Sequence, residues 1–218
     1  MTGDRPLLGV LFMLGFCILI PFGDALAKML GDTVPLIILV LVRFGAQVLL
    51  LVPMVWLTGS TLRMSPRAFR LTAFRSVLQI LGISFMFLSL RYLPLADAVA
   101  IAFVMPFIML IMGHFILHEE VGIRRIAACG VGFVGTMMVI QPSFAAVGWY
   151  ALLPLLVALL FSGFMLITRH ISQETDPIGL QFISGLMATA FMLPLFVLGS
   201  AAELGDLTWA TPNSREWG

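Results

Sequence analysis

The stretch VPLIILVLVRFGAQVLLLVPMVWLT, residues 34–58, decides the fold. It carries a single charge, Arg43, and turn-forming residues flank it, Gly31-Asp32-Thr33 before and Gly59-Ser60 after. About 20 apolar residues cross roughly 30 Å of hydrocarbon at 1.5 Å per residue, so this segment is long enough to span a bilayer. Working outward, six further stretches have the same character, near residues 8–30, 72–91, 95–117, 123–140, 147–168 and 178–199. The chain is 61% hydrophobic and 11% charged, with a mean hydropathy of +1.09. A soluble protein carries about a quarter charged residues. The spans are predicted to be helices, because an open sheet edge in lipid would leave backbone groups unsatisfied. The gaps are short and allow only up-and-down hairpins. The expected fold is an all-α polytopic membrane bundle.

The basic residues orient it. With a cytoplasmic N-terminus, Arg5, Arg63, Arg67, Arg70, Arg75, Arg124, Arg125 and Arg169 fall on the inner side, and Lys28, Arg91 and Arg215 on the outer. Arg43 lies within its span. This is a positive-inside bias, and the expected location is a cell (inner) membrane, multi-pass with a cytoplasmic N-terminus. The tail from Ala201 to Gly218 is then outside, with Glu203, Asp206 and Glu216 against Arg215. A net charge of +1 without a basic tail argues against nucleic acid as a partner. Cys17 and Cys129 sit within apolar spans and read as small buried side chains. Arg5, the apolar run to Phe22 and Ala25-Leu26-Ala27 mimic a cleaved secretory signal. The length of that run and the continuation of Asp24 and Lys28 on one helix face favour a retained span.

Spans one and two share a skeleton with spans six and seven. Lys28 corresponds to Arg169, Pro35 to Pro177, Pro53 to Pro194, and Gly59-Ser60 to Gly199-Ser200. Five spans separate the copies, and five is odd, so the second copy lies upside down. That is the inverted-repeat arrangement of secondary transporters. The expected units are a five-helix repeat over residues 7–141 and a shortened second repeat over residues 147–218. On that reading Arg215-Glu216-Trp217-Gly218 resembles the start of an eighth span, and the chain reads as a fragment or truncated product. The alternative is a natural seven-helix protein. A retinal Schiff base would need a lysine in the last helix, whereas Lys28 is in the first.

Polar side chains recur within the spans at helical spacing: Asp24 and Lys28, Arg43 and Gln47, Arg75 and Gln79, each pair four apart on one face. Asp97 opens span four, and Gln181 with Ser184 lies early in span seven. A charge at membrane depth costs about 2.5–3.5 kcal/mol or more, so such groups face a bundle interior or a wet cavity. These residues are the candidate substrate-binding or cavity-lining set. Arg43 lies near the midplane, either as an internal clamp or as a planar fork for an anionic group. Asp24, at matching depth on the neighbouring helix, either pairs statically or serves a proton or substrate amine. Arg75 and Lys28 lie near interfaces and read as snorkelling anchors.

Other chemistry finds little support. His114 and His118 have the spacing of two imidazoles on one helix face, but Gly122 stands where H-E-x-x-H needs its second histidine. Phe85 stands where an intramembrane serine protease would need a glycine after Ser84. No catalytic residue, metal site or cofactor is expected. Gly130, Gly132 and Gly135, with Ala127 and Ala128, form a small-residue face suited to close helix packing. Pro21, Pro106 and Pro154 are expected to kink helices mid-span.

Taken in order, Asp24-Ala-Leu-Ala-Lys28, Arg43-Phe44, Leu90-Arg91-Tyr92-Leu93-Pro94 with Ala96 and Ala98, Pro106, Leu117-His118-Glu119 and the Gly130–Gly135 stretch form a pattern. With it the chain resembles the EamA-like branch of the drug/metabolite transporter superfamily, over one complete repeat and the start of a second. The resemblance implies ten helices, both termini inside, alternating-access transport of small metabolites, and Glu119 as a structural turn residue. The Asp24, Lys28 and Arg43 set is similar to members that import nucleoside- or flavin-like metabolites, such as S-adenosylmethionine or riboflavin. Efflux of amino acids or drugs stays open, as does a non-transporting scaffold or truncated remnant. The implied partners are a small-molecule metabolite and the lipid bilayer, with a homodimer as an open expectation.

Overall fold

The computed structural model describes residues 14, 22–26, 28–30, 34–117, 122–172 and 174–201. Helix α1 is described at residues 22–26 and 28–30. After it come α2 (Leu36–Thr58), α3 (Pro66–Tyr92), α4 (Leu95–Ala102), α5 (Met105–Leu117), α6 (Ile123–Val147), a 3-10 turn (Gly148–Leu152), α7 (Leu153–Ile171) and α8 (Pro177–Ala201). Among the described residues, five helical stretches are long and apolar enough to cross a membrane: Leu36–Thr58, Pro66–Tyr92, Leu95–Ile116, Ala145–Ile171 and Pro177–Leu198. Helix α6 adds a shorter apolar run, Ile126–Met138. The chain is an all-α, multi-pass membrane protein. Most of predicted span one, and His118 with Glu119 and Glu120, lie outside the described residues.

Local chemistry sets the helix ends. Gly59 closes α2 at φ 63°, a left-handed conformation open to glycine. Ser65 caps α3 by accepting a hydrogen bond from the Ala68 N–H, with Pro66 at the first helical position. Span four is broken in two. Pro106 has no N–H for the Ala102 carbonyl and its ring crowds that oxygen, so α4 ends at Ala102 and α5 restarts at Met105. The expected kink is thus a break. Pro154 is not mid-helix: α6 runs on to Val147, Gly148 at φ 63° ends it, and Pro154 enters the first turn of α7. Pro21 lies outside the described residues.

Helix α3 is the axis of the bundle. It packs most extensively against α7 and also against α8, while α2 packs on α8 and α5 on α7. Its buried side chains change character along its length. Toward Tyr92 they are mostly apolar (Ile83, Met86, Phe87, Leu90), apart from Ser89, which donates to the Met86 carbonyl, and they join Ile37, Val40 and Phe44 of α2. Toward Pro66 they are Thr72, Arg75, Ser76 and Gln79. The outward faces are apolar, with Leu49, Leu50 and Leu57 of α2 and Val131 and Met138 of α6 exposed, as lipid contact requires. Tyr92, Trp149 and Tyr150 are exposed at one end of the bundle, and Tyr92 stacks on Tyr150 at 3.8 Å. Such residues suit a membrane interface. Arg63, Arg67 and Arg70 mark the opposite, arginine-rich end.

Glycines allow the tightest crossings. A Cβ on Gly82 would stand 3.0 Å from the Phe161 ring, and one on Gly179 would stand 2.5 Å from the Thr61 carbonyl oxygen. The small-residue face of α6 differs from expectation. Nothing among the described residues comes within 4 Å of a Cβ built on Gly130, Gly132 or Gly135. The helix meets α4, α5 and the 3-10 turn. Gly179→Ala is expected to lower the stability of the detergent-purified protein by about 1–3 kcal/mol, because the clash is with backbone. Gly130→Ala should be neutral or slightly stabilising, within about 1 kcal/mol. Thermal unfolding followed by size-exclusion chromatography separates the two.

Candidate functional site

The predicted site residues gather into two groups along α3. The first lies near its Tyr92 end. Asp24 of α1 is buried, and its Oδ1 lies 3.8 Å from Arg43 Nη1 of α2. A hydrogen-bonded pair of this kind closes to about 2.7–2.9 Å. This one is in Coulomb contact but looser, leaving acceptor and donor capacity at both heads. The Arg43 guanidinium carbon also lies 5.8 Å from the Phe87 ring centroid, within range of a cation–π attraction.

Lys28 has a specific backbone partner rather than an interfacial one. Its Nζ donates to the carbonyls of Leu90 and Leu93, each at 2.7 Å. The residue four beyond Leu90 is Pro94, which has no N–H to offer that carbonyl. Lys28 supplies the missing donor from another helix, and its charge suits the helix C-terminus. The snorkelling reading of Lys28 therefore gives way to a capping role, because the break at Pro94 leaves carbonyls bare.

Arg75 is the centre of the second group, and the anchor reading fails for it. The side chain is 2% exposed. Its Nε donates to Thr168 Oγ1 of α7 at 2.6 Å, its Nη2 to Gln181 Oε1 of α8 at 2.8 Å, and its Nη1 to Ser184 Oγ. The guanidinium carbon lies 4.2 Å from the Phe164 ring centroid. Helices α7 and α8 close the route to the interface that a snorkelling arginine would take. Gln47 of α2 joins through the Gln181 backbone carbonyl, to which its Nε2 donates at 3.0 Å.

Gln79, one turn along α3 from Arg75, is 7% exposed, and its Oε1 has no hydrogen-bond partner among the described residues. A buried orphan acceptor costs about 1–3 kcal/mol. Asp97 lies off this framework, half-buried in the first turn of α4, where a carboxylate complements the helix N-terminus. At 1.5 Å per residue, Arg75 and Phe87 are about 18 Å apart along α3. The two groups are distinct, with apolar core between them.

Thr168, Phe164 and Phe87 are contributors that sequence reasoning missed, and Ser184 was noted without a role. A hydroxyl in a membrane helix says little by itself, since it can bond its own helix. Thr168 Oγ1, besides accepting from Arg75, donates to the Phe164 carbonyl at 2.7 Å.

A multi-pass helical bundle with polar groups buried between its spans is an architecture that membrane transporters use. The family model of the EamA-like transporter family matches residues 7–141, and the chain belongs to that family. It is 38% identical over 103 residues to a riboflavin transporter of Rhizobium johnstonii, covering 47% of this chain and 34% of that protein. It is 25% identical over 184 residues to a riboflavin transporter of Brucella anthropi, covering 84% and 63%. An S-adenosylmethionine uptake transporter of Rickettsia prowazekii is 24% identical over 193 residues, covering 88% and 62%. The chain thus spans from a third to under two thirds of the length of these relatives. No solved structure matches it. Family and relatives alike are transporters by name, not enzymes.

Outside the membrane, Asp176 caps α8 by accepting from the Ile178 and Gly179 N–H groups, each at 2.9 Å. The Gly179 N–H first, and also the Ser60 hydroxyl and Ile178 N–H, hold its carboxyl below the usual carboxylate range against a smaller opposing effect of burial. A depressed folded-state value means the cap contributes stability above the unfolded carboxylate pKa of about 4 and loses it as pH falls through the lower folded value. Asp176→Asn should keep most of the cap while flattening the fall in thermal midpoint below pH 4. Asp176→Ala should lower the midpoint at neutral pH.

Proposed function

We propose that the chain takes up a small, nitrogen-rich metabolite of the riboflavin or S-adenosylmethionine kind across a cell (inner) membrane by alternating access. The observation that carries this reading is the loose Asp24–Arg43 pair beside Phe87. Two opposite charges within hydrocarbon-spanning helices stay uncoordinated by hydrogen bonds to each other, while an aromatic face lies beside the guanidinium. A substrate can engage both heads without first breaking a tight ion pair. Asp24 and Arg43 make the substrate contact and Phe87 flanks it, while Gln47, Arg75, Gln79 and Gln181 form the second polar group farther along α3. Lys28 holds the end of α3 in place behind the pair. The family and the names of the relatives support a small-metabolite substrate.

The arginine distribution supports a cytoplasmic arginine-rich end, with the N-terminus on the same side. A cysteine placed at Ser60 should react with an impermeant maleimide only from the cytoplasmic face, and one at Trp149 only from the opposite face. Reversed labelling would invert the proposed orientation.

The site is tested in proteoliposomes with radiolabelled riboflavin and S-adenosylmethionine, alongside riboflavin fluorescence quenching as a binding measurement. Arg43→Gln and Asp24→Asn should each reduce uptake at least about tenfold at unchanged membrane abundance, the loss of roughly 1.4 kcal/mol of substrate interaction. The charge swap Asp24→Arg with Arg43→Asp should restore abundance but not uptake. If the swap restores both, the pair is a static strut. If each single variant transports normally, the site assignment is wrong.

A further inference from the structure

We infer that Arg75 is a two-position latch at the arginine-rich end: it now holds α3 to α7 and α8, and its second position is the Oε1 of Gln79. The inference rests on the transport reading above and adds to it the device that would open one side of the bundle.

The first observation is the direction of the bonds. All three acceptors of Arg75 belong to α7 and α8, 93 to 109 residues away in the chain. Two other ties at the same end run the same way. Arg67 Nη2 donates to His170 Nε2 at 3.0 Å, and Gly179 lies against the Thr61 carbonyl. By contrast, the Asp24–Arg43 pair and the Lys28 bonds near the other end both stay within residues 24–93. Separating the α2–α3 layer from the α7–α8 layer at the arginine-rich end therefore requires Arg75 to release.

The second observation is what holds it. Its partners among the described residues are two hydroxyls, one amide oxygen and an aromatic face, all neutral. A carboxylate in this place would tie the layers together far more firmly, because buried charge-paired bonds are costly to separate. Neutral acceptors satisfy the guanidinium and still release it.

The third observation supplies a destination. Gln79 stands four residues along α3 on the same face as Arg75, within the reach of an i, i+4 pair. Its Oε1 is buried without a donor. A guanidinium that leaves α7 and α8 need not stay unsatisfied in a low-dielectric interior. It exchanges three acceptors on the other layer for one on its own helix, and the orphan oxygen gains its donor. Two discrete resting places for one charge are what a gate needs.

The test reads sided accessibility. Ser76 is fully buried between α3 and α8 beside the latch, with its Oγ 3.4 Å from the Ser184 carbonyl. Ser76→Cys in a Cys17→Ser, Cys129→Ser background is incorporated as the full chain in vesicles and exposed to an impermeant maleimide from either face. Gln79→Glu strengthens the second position and should speed labelling about tenfold or more from the face carrying Arg63, Arg67 and Arg70. Gln79→Leu removes that position and should slow labelling below the parent rate. Thr168→Val with Ser184→Ala weakens the first position while keeping the arginine, and should speed labelling from the same face.

Equal rates in Gln79→Glu and Gln79→Leu would overturn the second position. Exposure of the cysteine from both faces alike would overturn the latch and leave Arg75 a packing residue. Uptake by the parent chain is measured in the same vesicles. Opposite shifts without uptake support the latch and count against the transport reading, whereas uptake without the shifts supports transport and overturns the latch.

Discussion

Hydrocarbon offers a polar group no partner, and that constraint shapes every feature of this bundle. Backbone groups meet it by forming helices. Side chains meet it by finding each other across helices, and the buried Arg75 guanidinium is the clearest case. It reaches Thr168, Gln181 and Ser184, so one buried charge ties α3 to α7 and α8. The exception is Gln79, whose buried Oε1 has no hydrogen-bond partner among the described residues.

The same constraint explains why Lys28 and the 90–94 segment belong together. Pro94 turns the chain between α3 and α4 but cannot supply the N–H that the Leu90 carbonyl needs. Lys28 supplies it from α1. This bond ties α1 to the end of α3 and thereby places Asp24, one turn before Lys28, against Arg43 on α2. Two polar groups result, one near each end of α3, with the apolar cluster of Ile83, Phe87, Val40 and Phe44 lying along the helix toward the first. An aromatic ring flanks each guanidinium, Phe87 for Arg43 and Phe164 for Arg75.

Much of the architecture was legible before any coordinates. The apolar runs set the helices, and the turn residues set most of their ends. Equal numbers of residues on either side of the 31–34 turn put Asp24 and Arg43 at one depth. The errors have physical causes. Pro154 looked like a mid-span kink, but the conformation of Gly148 ended α6 and put Pro154 in the first turn of α7. The Gly130–Gly135 face has the spacing of a helix crossing, yet spacing does not say whether a neighbour arrives. Arg75 looked like an interfacial anchor because its distance from the helix end is readable and the cover provided by α7 and α8 is not.

By itself the sequence determined that the chain is a membrane-spanning helical bundle, because length and apolarity leave a bilayer segment no other way to satisfy its backbone. It also determined which few side chains carry charge into the hydrocarbon. Only the tertiary structure decided what each of those charges does. Lys28 caps a foreign helix, Arg43 holds a loose ion pair, and Arg75 bonds three neutral side chains, although all are basic residues near the ends or middle of apolar helices. A side chain's role in lipid depends on which helix covers it. That depends on packing between segments up to 109 residues apart, which local sequence does not encode.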